Sequence, residues 1–317
     1  MKKNICTYFD SAFFGRGQAM ITSLIKKSSI KNIKVFVLAI DKSVENRLNA
    51  LELDQLVVIN LNDFKANDIR LSNERFQNSK EFFFSLTPGL CLYCLKKFQL
   101  DSVMYVDADV YFFNDIKHIY EEIGGKSIGL CSHRLPFFMR PFSLKYGVYN
   151  VGINYFKNDD IGLLCLEDWN EFCLNWTPQF PGWKLPFFSD QVWLDDWPKK
   201  YSNLKIINNI GVNTAPWNAI KYTFKFKNGT YYVNNTPLIA YHFSNLGKLD
   251  DKTWEGNIGQ LFINIQGTLL QIYAEYINQI DRYEISFLKG VNSKRNVFKK
   301  FVFSFFKKFF NSKIDLK

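Results

Sequence analysis

Cysteine is sparse in this 317-residue chain, and six residues are too few for a small disulfide-stapled scaffold. Nine prolines and 17 glycines exclude a collagen-like or low-complexity chain. No uninterrupted apolar stretch approaches the roughly 20 residues that a membrane-spanning helix needs. The start, Met1-Lys2-Lys3-Asn4-Ile5-Cys6-Thr7-Tyr8-Phe9-Asp10, has two lysines but only a short apolar run that ends in an aspartate. It lacks the longer apolar core and cleavage site of a secretory signal, so the expectation is a cytoplasmic protein with reduced thiols. Histidine is rarer still, at three residues.

What is present is apolar and aromatic. The chain is 47% hydrophobic and 17% aromatic, which excludes a disordered protein and suffices for one large or two modest domains. Net charge is +10, but residues 294–317 alone hold eight Lys and Arg against Asp315. A duplex-binding protein spreads its basic face over the fold, so nucleic acid is not an expected partner. Within the tail, Phe298, Phe301, Val302, Phe305 and Phe309 share one arc of a helical wheel, with Lys300, Lys307 and Lys308 opposite. That pattern predicts an amphipathic helix on an anionic membrane surface, docking on the protein's own core being the alternative.

Apolar runs at 4–9, 33–40, 56–61 and 102–106 read as strands, and 15–27 and 79–98 as helices. Continuous apolar strands separated by helices predict a parallel α/β sheet, a Rossmann-like half ending near residue 115. Beyond it, 150–156 and 238–243 read as strands, and 160–175, 190–197 and 254–279 as helices. No repeat or linker interrupts the chain, which favours one composite domain. Cys91-Leu92-Tyr93-Cys94 lies in an apolar helical segment and reads as buried thiols rather than a metal or redox pair.

The chemistry gathers around Asp107-Ala108-Asp109, after the apolar run Met104-Tyr105-Val106. Such a triplet alone says little, since chance supplies roughly one in a chain of this composition. Its position says more, because ligand crevices form at the carboxyl ends of strands in α/β sheets. Two unpaired carboxylates there repel and are costly to desolvate, and a divalent cation removes both problems. Hard oxygen ligands suit Mg²⁺ or Mn²⁺ completed by a diphosphate; a solvated loop with two exposed aspartates is the plain alternative. His242 ends the apolar run Leu238-Ile239-Ala240-Tyr241, and Lys248 follows six residues later. The imidazole can complete a mixed oxygen–nitrogen site, and the ammonium can neutralise a phosphate. His118 and His133 stand in less suggestive contexts. Asn150-Val151-Gly152 opens a strand with a glycine that permits close backbone approach. Asp190-Gln191 begin a short helix after Ser189, where an acidic residue is favoured even without a function.

In this order and spacing, these segments resemble the GT-A glycosyltransferases, among them the family-8 retaining enzymes and related bacterial nucleotide-diphospho-sugar transferases of surface-polysaccharide synthesis. The resemblance covers about residues 4–250 and includes Phe188-Ser189-Asp190-Gln191-Val192-Trp193-Leu194 and Gly211-Val212-Asn213-Thr214-Ala215-Pro216-Trp217-Asn218. It implies a mixed GT-A sheet covered by helices over 1–265, with a nucleotide-binding half to about 115 and a sugar and acceptor half over 116–265. A helical C-terminal region, 266–317, follows. The resemblance further implies Mn²⁺ or Mg²⁺ on Asp107, Asp109 and His242, and a UDP-sugar whose base and ribose lie against Thr7, Tyr8, Asp10, Phe13, Asp107 and Ala108. Lys248 would touch the diphosphate, and Asn150, Gly152, Asp190 and Gln191 would face the donor sugar, with Asp190 or Gln191 nearest the anomeric carbon. Trp217 and Asn218 read as acceptor contacts because an indole face can pack on a pyranose, a buried Trp217 being the alternative. The implied activity is metal-dependent transfer of a hexose, with retention, to an oligosaccharide or glycolipid at the inner face of the membrane. Two departures stand out: His-x-x-Gly-x-x-Lys-Pro-Trp is replaced by His242-Phe243-Ser244-Asn245-Leu246-Gly247-Lys248-Leu249, and a donor-binding arginine is replaced by Leu90.

Two other readings stay open. Gly15-Arg16-Gly17-Gln18-Ala19-Met20 is a partial dinucleotide fingerprint for NAD(P) or FAD, with Asp41 where a ribose-binding acid would stand. Alternatively, the protein is a non-enzymatic membrane- or nucleic-acid-associating chain built around its basic tail.

Overall fold

The structure, a computed structural model, describes residues 2–73, 80–175, 189–249, 253–256, 263–284 and 313–315. The amino-terminal half runs β1 (Lys3–Phe9), α1 (Phe14–Lys27), β2 (Ile33–Ala39), α2 (Lys42–Asn49), β3 (Leu56–Asn60), α3 (Leu61–Lys65), α4 (Lys80–Lys97), β4 (Ser102–Val106) and β5 (Val110–Phe112). Then come α5 (Lys117–Ile123), β6 (Ile128–Ser132), α6 (Ser143–Tyr146), β7 (Tyr149–Lys157), α7 (Asp160–Asn175), α8 (Ser189–Val192), α9 (Trp197–Lys200) and β8 (Leu204–Ile207). The last part holds β9 (Phe224–Lys227), β10 (Thr230–Val233), β11 (Thr236–Pro237), β12 (Ala240–His242), β13 (Gly247–Lys248), β14 (Thr253–Glu255), α10 (Gly267–Glu284) and β15 (Lys313–Asp315).

The central sheet has the order β3-β2-β1-β4-β7-β6-β8. Strands β3, β2, β1 and β4 are parallel, as their continuous apolar runs predict. β7 is antiparallel to both β4 and β6, and β8 is parallel to β6, so the sheet is mixed. Side chains alternate between two cores. Cys6, Val103 and Tyr105 meet Leu86, Leu90 and Leu95 of α4 and Trp169 of α7 on one face. Ile5, Phe9, Met104 and Val106 pack with Met20 and Leu24 of α1, Val44 and Leu48 of α2 and Ile119 and Ile123 of α5 on the other. All six cysteines are buried and none is in a disulfide, and Cys91 lies 3.7 Å from Cys6, sulfur to sulfur, consistent with packing thiols.

A third core joins β5, β12, β14 and α10, and α10 packs along α1. Here the sequence reading is corrected. The segment read as one helix over 254–279 holds strand β14 first, and its helix starts only at Gly267. A β-carbon at Gly256 would lie 2.0 Å from Ile265 Cδ1, so the glycine after β14 leaves the space that Ile265 fills. Within the span read as a helical tail, Lys313–Asp315 is a strand paired to β14, with Ile314 fully buried. Extended backbone lets Ile314 face inward. The rest of the basic-aromatic tail, 294–312 and 316–317, lies outside the described residues. Among the described residues no helix is long and apolar enough to cross a membrane.

Candidate functional site

Three strand ends converge. β4 ends at Val106, and a tight turn closed by Val110 N–H donating to Asp107 C=O (3.1 Å) carries Asp107 and Asp109 into β5. β5 pairs with β12 so that Val110 stands opposite His242, and Phe243 N–H donates to Asp109 C=O at 2.9 Å. On the other side β7 begins, and Asp107 N–H donates to Gly152 C=O at 2.9 Å. Backbone pairing alone thus brings residues 107, 109, 152 and 242 together. Ala108, between the aspartates, is buried in the core beneath with Val106 and Val110, which leaves the two carboxylates on the open side.

His242 Nε2 lies 3.1 Å from Asp109 Oδ1 and 3.6 Å from Asp107 Oδ2. One ligand atom from each of the three residues falls within 4.8 Å of the others. The imidazole is 6% exposed, against 28% for Asp107 and 18% for Asp109, so the cluster has a buried back and an open front. His242 Nδ1 is buried and finds no hydrogen-bond partner among the described residues. Burial opposes charging the ring, yet the facing Asp109 and Asp107 carboxylates outweigh it and raise the pKa of His242. Burial also raises Asp107, aided by like-charged Asp109, despite His242 and the Tyr105 hydroxyl. Asp109 is held low against burial by His242 first and by Arg16 after it. Two carboxylate oxygens and a buried imidazole nitrogen converging on one point are the donor set of a divalent-cation site, and these three residues fit such an ion.

The surroundings fix these groups. Tyr105 Oη donates to Asp107 Oδ1 at 2.7 Å, and burial pushes that phenol well up, so it stays a donor. A β-carbon at Gly152 would lie 2.5 Å from His242 Nδ1 and 2.8 Å from Asn150 Oδ1, so the imidazole occupies the space that the glycine leaves. Beside it runs a directed amide chain. His133 Nδ1 meets the Gly147 carbonyl at 3.1 Å, and a carbonyl can only accept, so Nδ1 carries the ring's proton. Burial lowers the pKa of His133 to about 4, so the ring is neutral and Nε2 accepts from Asn150 Nδ2 at 3.3 Å. Asn150 Oδ1 accepts from Gly152 N–H (3.0 Å), and its Nδ2 donates also to Gln191 Oε1 (3.2 Å). Both Asn150 amide hydrogens are thereby engaged, and Gln191 is oriented from the backbone outward.

The other sequence-predicted residues fall around this centre. The ring of Trp217 sits edge-on to both His242 (5.1 Å) and His133 (5.3 Å), and its Nε1 donates to His133 C=O. Asn218 is fully buried, with its amide spent on His133 C=O, Asn213 C=O and Ala215 N–H, so it shapes the wall behind Trp217. The ring of Tyr8 lies 5.9 Å from that of Tyr105, and its hydroxyl donates to Phe83 C=O. Thr7 Oγ1 is buried on β1 without a partner among the described residues. Asp10 caps the turn before α1 by accepting from Phe13 N–H, and Phe13 is exposed beneath the Arg16 guanidinium. Lys248, on β13, pairs with Asp281 of α10 at 3.3 Å and lies over the Trp254 ring. Asp190 is the second residue of α8, and its side chain lies outside the described residues.

Sequence reasoning set His133 aside and did not single out Tyr105 or Arg16. Tyr105 could have been found, because it shares a strand face with Asp107 two residues on; nothing local marks His133. The dinucleotide reading loses its two supports. Asp41 caps α2 and accepts from Ser11 N–H, and a β-carbon at Gly17 would strike the Phe9 ring at 2.3 Å, so that glycine serves helix–strand packing.

No protein-family profile matches the chain. Among curated proteins it is similar to the uncharacterized proteins YfnD and YfnF of Bacillus subtilis (strain 168). YfnD is 26% identical over 78% of this chain and 80% of its own length, and YfnF is 29% identical over 77% and 82%. Among solved structures it superposes on mouse xyloside xylosyltransferase 1 with a TM-score of 0.51 and 11% identity, over 77% of this chain and 98% of that one. It also superposes on the galactosyltransferase LgtC (TM-score 0.52, 13% identity, 92% and 98% of the two chains) and on the bifunctional WbbM (0.53, 13%, 90% and 51%). The chain has the GT-A fold of these glycosyltransferases.

Proposed function

We propose that the protein is a glycosyltransferase that moves a hexose from a UDP-sugar to an oligosaccharide or glycolipid, with Mn²⁺ or Mg²⁺ held by Asp107, Asp109 and His242. The observation that carries this reading is the convergence of those three ligand atoms within 4.8 Å in a GT-A fold. LgtC, solved with donor and acceptor sugar analogues, supports a nucleotide-sugar donor and a sugar acceptor. When bound, the cation supplies Lewis acidity toward charge that develops on the leaving diphosphate.

The protein's own groups set the rest of the geometry. Tyr105 holds Asp107 Oδ1, and Oδ2 is the oxygen nearer His242. Lys248 contributes a cation for the diphosphate, and Thr7, Tyr8, Asp10 and Phe13 form the base and ribose side. Asn150, Gly152, Asp190 and Gln191 face the donor sugar. The Gln191 carbonyl oxygen has two lone pairs, so accepting from Asn150 orients it without exhausting it as a stabiliser of an oxocarbenium-like sugar. Trp217 offers an apolar ring edge toward the acceptor. Retention follows if the acceptor attacks from the face that the diphosphate leaves.

The proposal includes work at the inner face of the membrane, with the part of the basic-aromatic tail before β15, residues 294–312, on anionic lipid; the sequence pattern supports it. Replacing Lys299, Lys300, Lys307 and Lys308 by Glu is expected to abolish co-sedimentation with anionic vesicles, and undiminished binding would rule the tail out. The chemistry is tested by following release of UDP from UDP-sugars. Asp109→Asn, which keeps the shape and removes the charge, is expected to lower the metal-dependent rate at least about 100-fold. Turnover equal to wild type in that variant would dismiss the reading.

A further inference from the structure

Within Gly15-Arg16-Gly17, Gly17 is explained by its contact with Phe9, whereas Arg16 has been placed only by its neighbours Phe13 and Asp109. It stands in the first turn of α1, which carries no acidic residue. Its Nη2 donates to the Leu246 carbonyl at 3.0 Å, in the turn between His242 and Lys248. Its guanidinium lies 4.9 Å from the centre of the Phe13 ring, which is 44% exposed. Its charge is also felt at Asp109, where it adds to the effect of His242 against burial. Arg16 therefore stands where the exit of β1, the turn before β13 and the carboxylate cluster meet.

A fixed cation at this place does nothing for a divalent ion alone, since like charges repel across the Asp109 carboxylate. It is favourable once an anion of more than two charges joins the ion. A nucleoside diphosphate is such an anion, and one divalent cation leaves part of its charge uncompensated. Lys248 meets that need incompletely, because its ammonium already pairs with Asp281. A guanidinium, planar and permanently charged, carries five N–H groups in a fork that matches phosphate oxygens, and only one of its nitrogens serves the Leu246 carbonyl.

We propose that Arg16 is a diphosphate-binding residue of the donor site and, through Leu246, the positioning residue for the turn that carries Lys248. This rests on the nucleotide-diphosphate reading given above. The test is a pair of calorimetric titrations on the full chain, Mn²⁺ alone and UDP in saturating Mn²⁺, for wild type, Arg16→Met and Arg16→Lys. Arg16→Met is expected to weaken UDP about tenfold to a hundredfold, while Mn²⁺ alone binds as well or more tightly. Arg16→Lys, which keeps the charge but not the fork, is expected to lose less than about tenfold for UDP. Should Arg16→Met fail to fold, Arg16→Gln carries the same two titrations.

A purely structural Arg16 would weaken both ligands in parallel, and that outcome overturns the inference. So does UDP affinity within twofold of wild type in Arg16→Met. Wild-type protein that binds Mn²⁺ but no UDP overturns the donor reading itself, and the role of Arg16 with it.

Discussion

At position 133 a buried imidazole is held neutral, with one nitrogen donating to Gly147 C=O and the other accepting from Asn150. Its folded pKa, about 4, lies below its ordinary value of 6.5 because burial disfavours the charged ring. The sign follows from proton counting. Between pH 6.5 and 4 the unfolded chain binds a proton that the folded one does not, so this contribution is full above 6.5 and is lost as pH falls. Its size is about 3 kcal/mol, at about 1.4 kcal/mol per unit of pKa. Denaturant unfolding at a series of pH values is expected to show wild type losing that much more than His133→Gln between pH 6.5 and 4. Equal slopes would mean that the ring titrates normally. Gly152 illustrates the complementary case: the sequence showed a glycine at a strand start, and the neighbour that requires it, His242, is ninety residues away and invisible to any local pattern.

At the scale of elements, legibility follows how local the cause is. β1, β2, β4, α1 and α7 were readable because each is a long run whose burial pattern lies in its own residues, and Asp107-Ala108-Asp109 was readable because it follows one of them. The short strands β5, β9, β10, β13 and β14 were not, since strands of two to four residues exist only through their partners. β15 is the extreme case, three residues joined to β14 from about sixty positions away. Ile314 carries that contact with its side chain fully buried among Trp254 and α10. Ile314→Ala is therefore expected to cost about 2–4 kcal/mol and lower the melting temperature by several degrees. A change below about 0.5 kcal/mol would show that β15 does not pack there in solution.

Over the whole molecule, two cores on either side of one mixed sheet hold the strand ends that make the site, and a third core ties α10 and β15 to the β5–β12 pair that carries Asp109 and His242. The arrangement makes the site a product of the entire fold, so ligands that complete it should stabilise the entire fold by mass action. The ion and the nucleotide should do so together, because the diphosphate completes the coordination that three protein ligands begin. Thermal unfolding of wild type and Asp109→Asn, each with Mn²⁺, with UDP, and with both, tests this directly. The account predicts a rise in melting temperature for wild type with both that exceeds the sum of the rises with either alone, and no such excess for Asp109→Asn. A wild-type rise with both no larger than that sum, or an undiminished excess in Asp109→Asn, would contradict it.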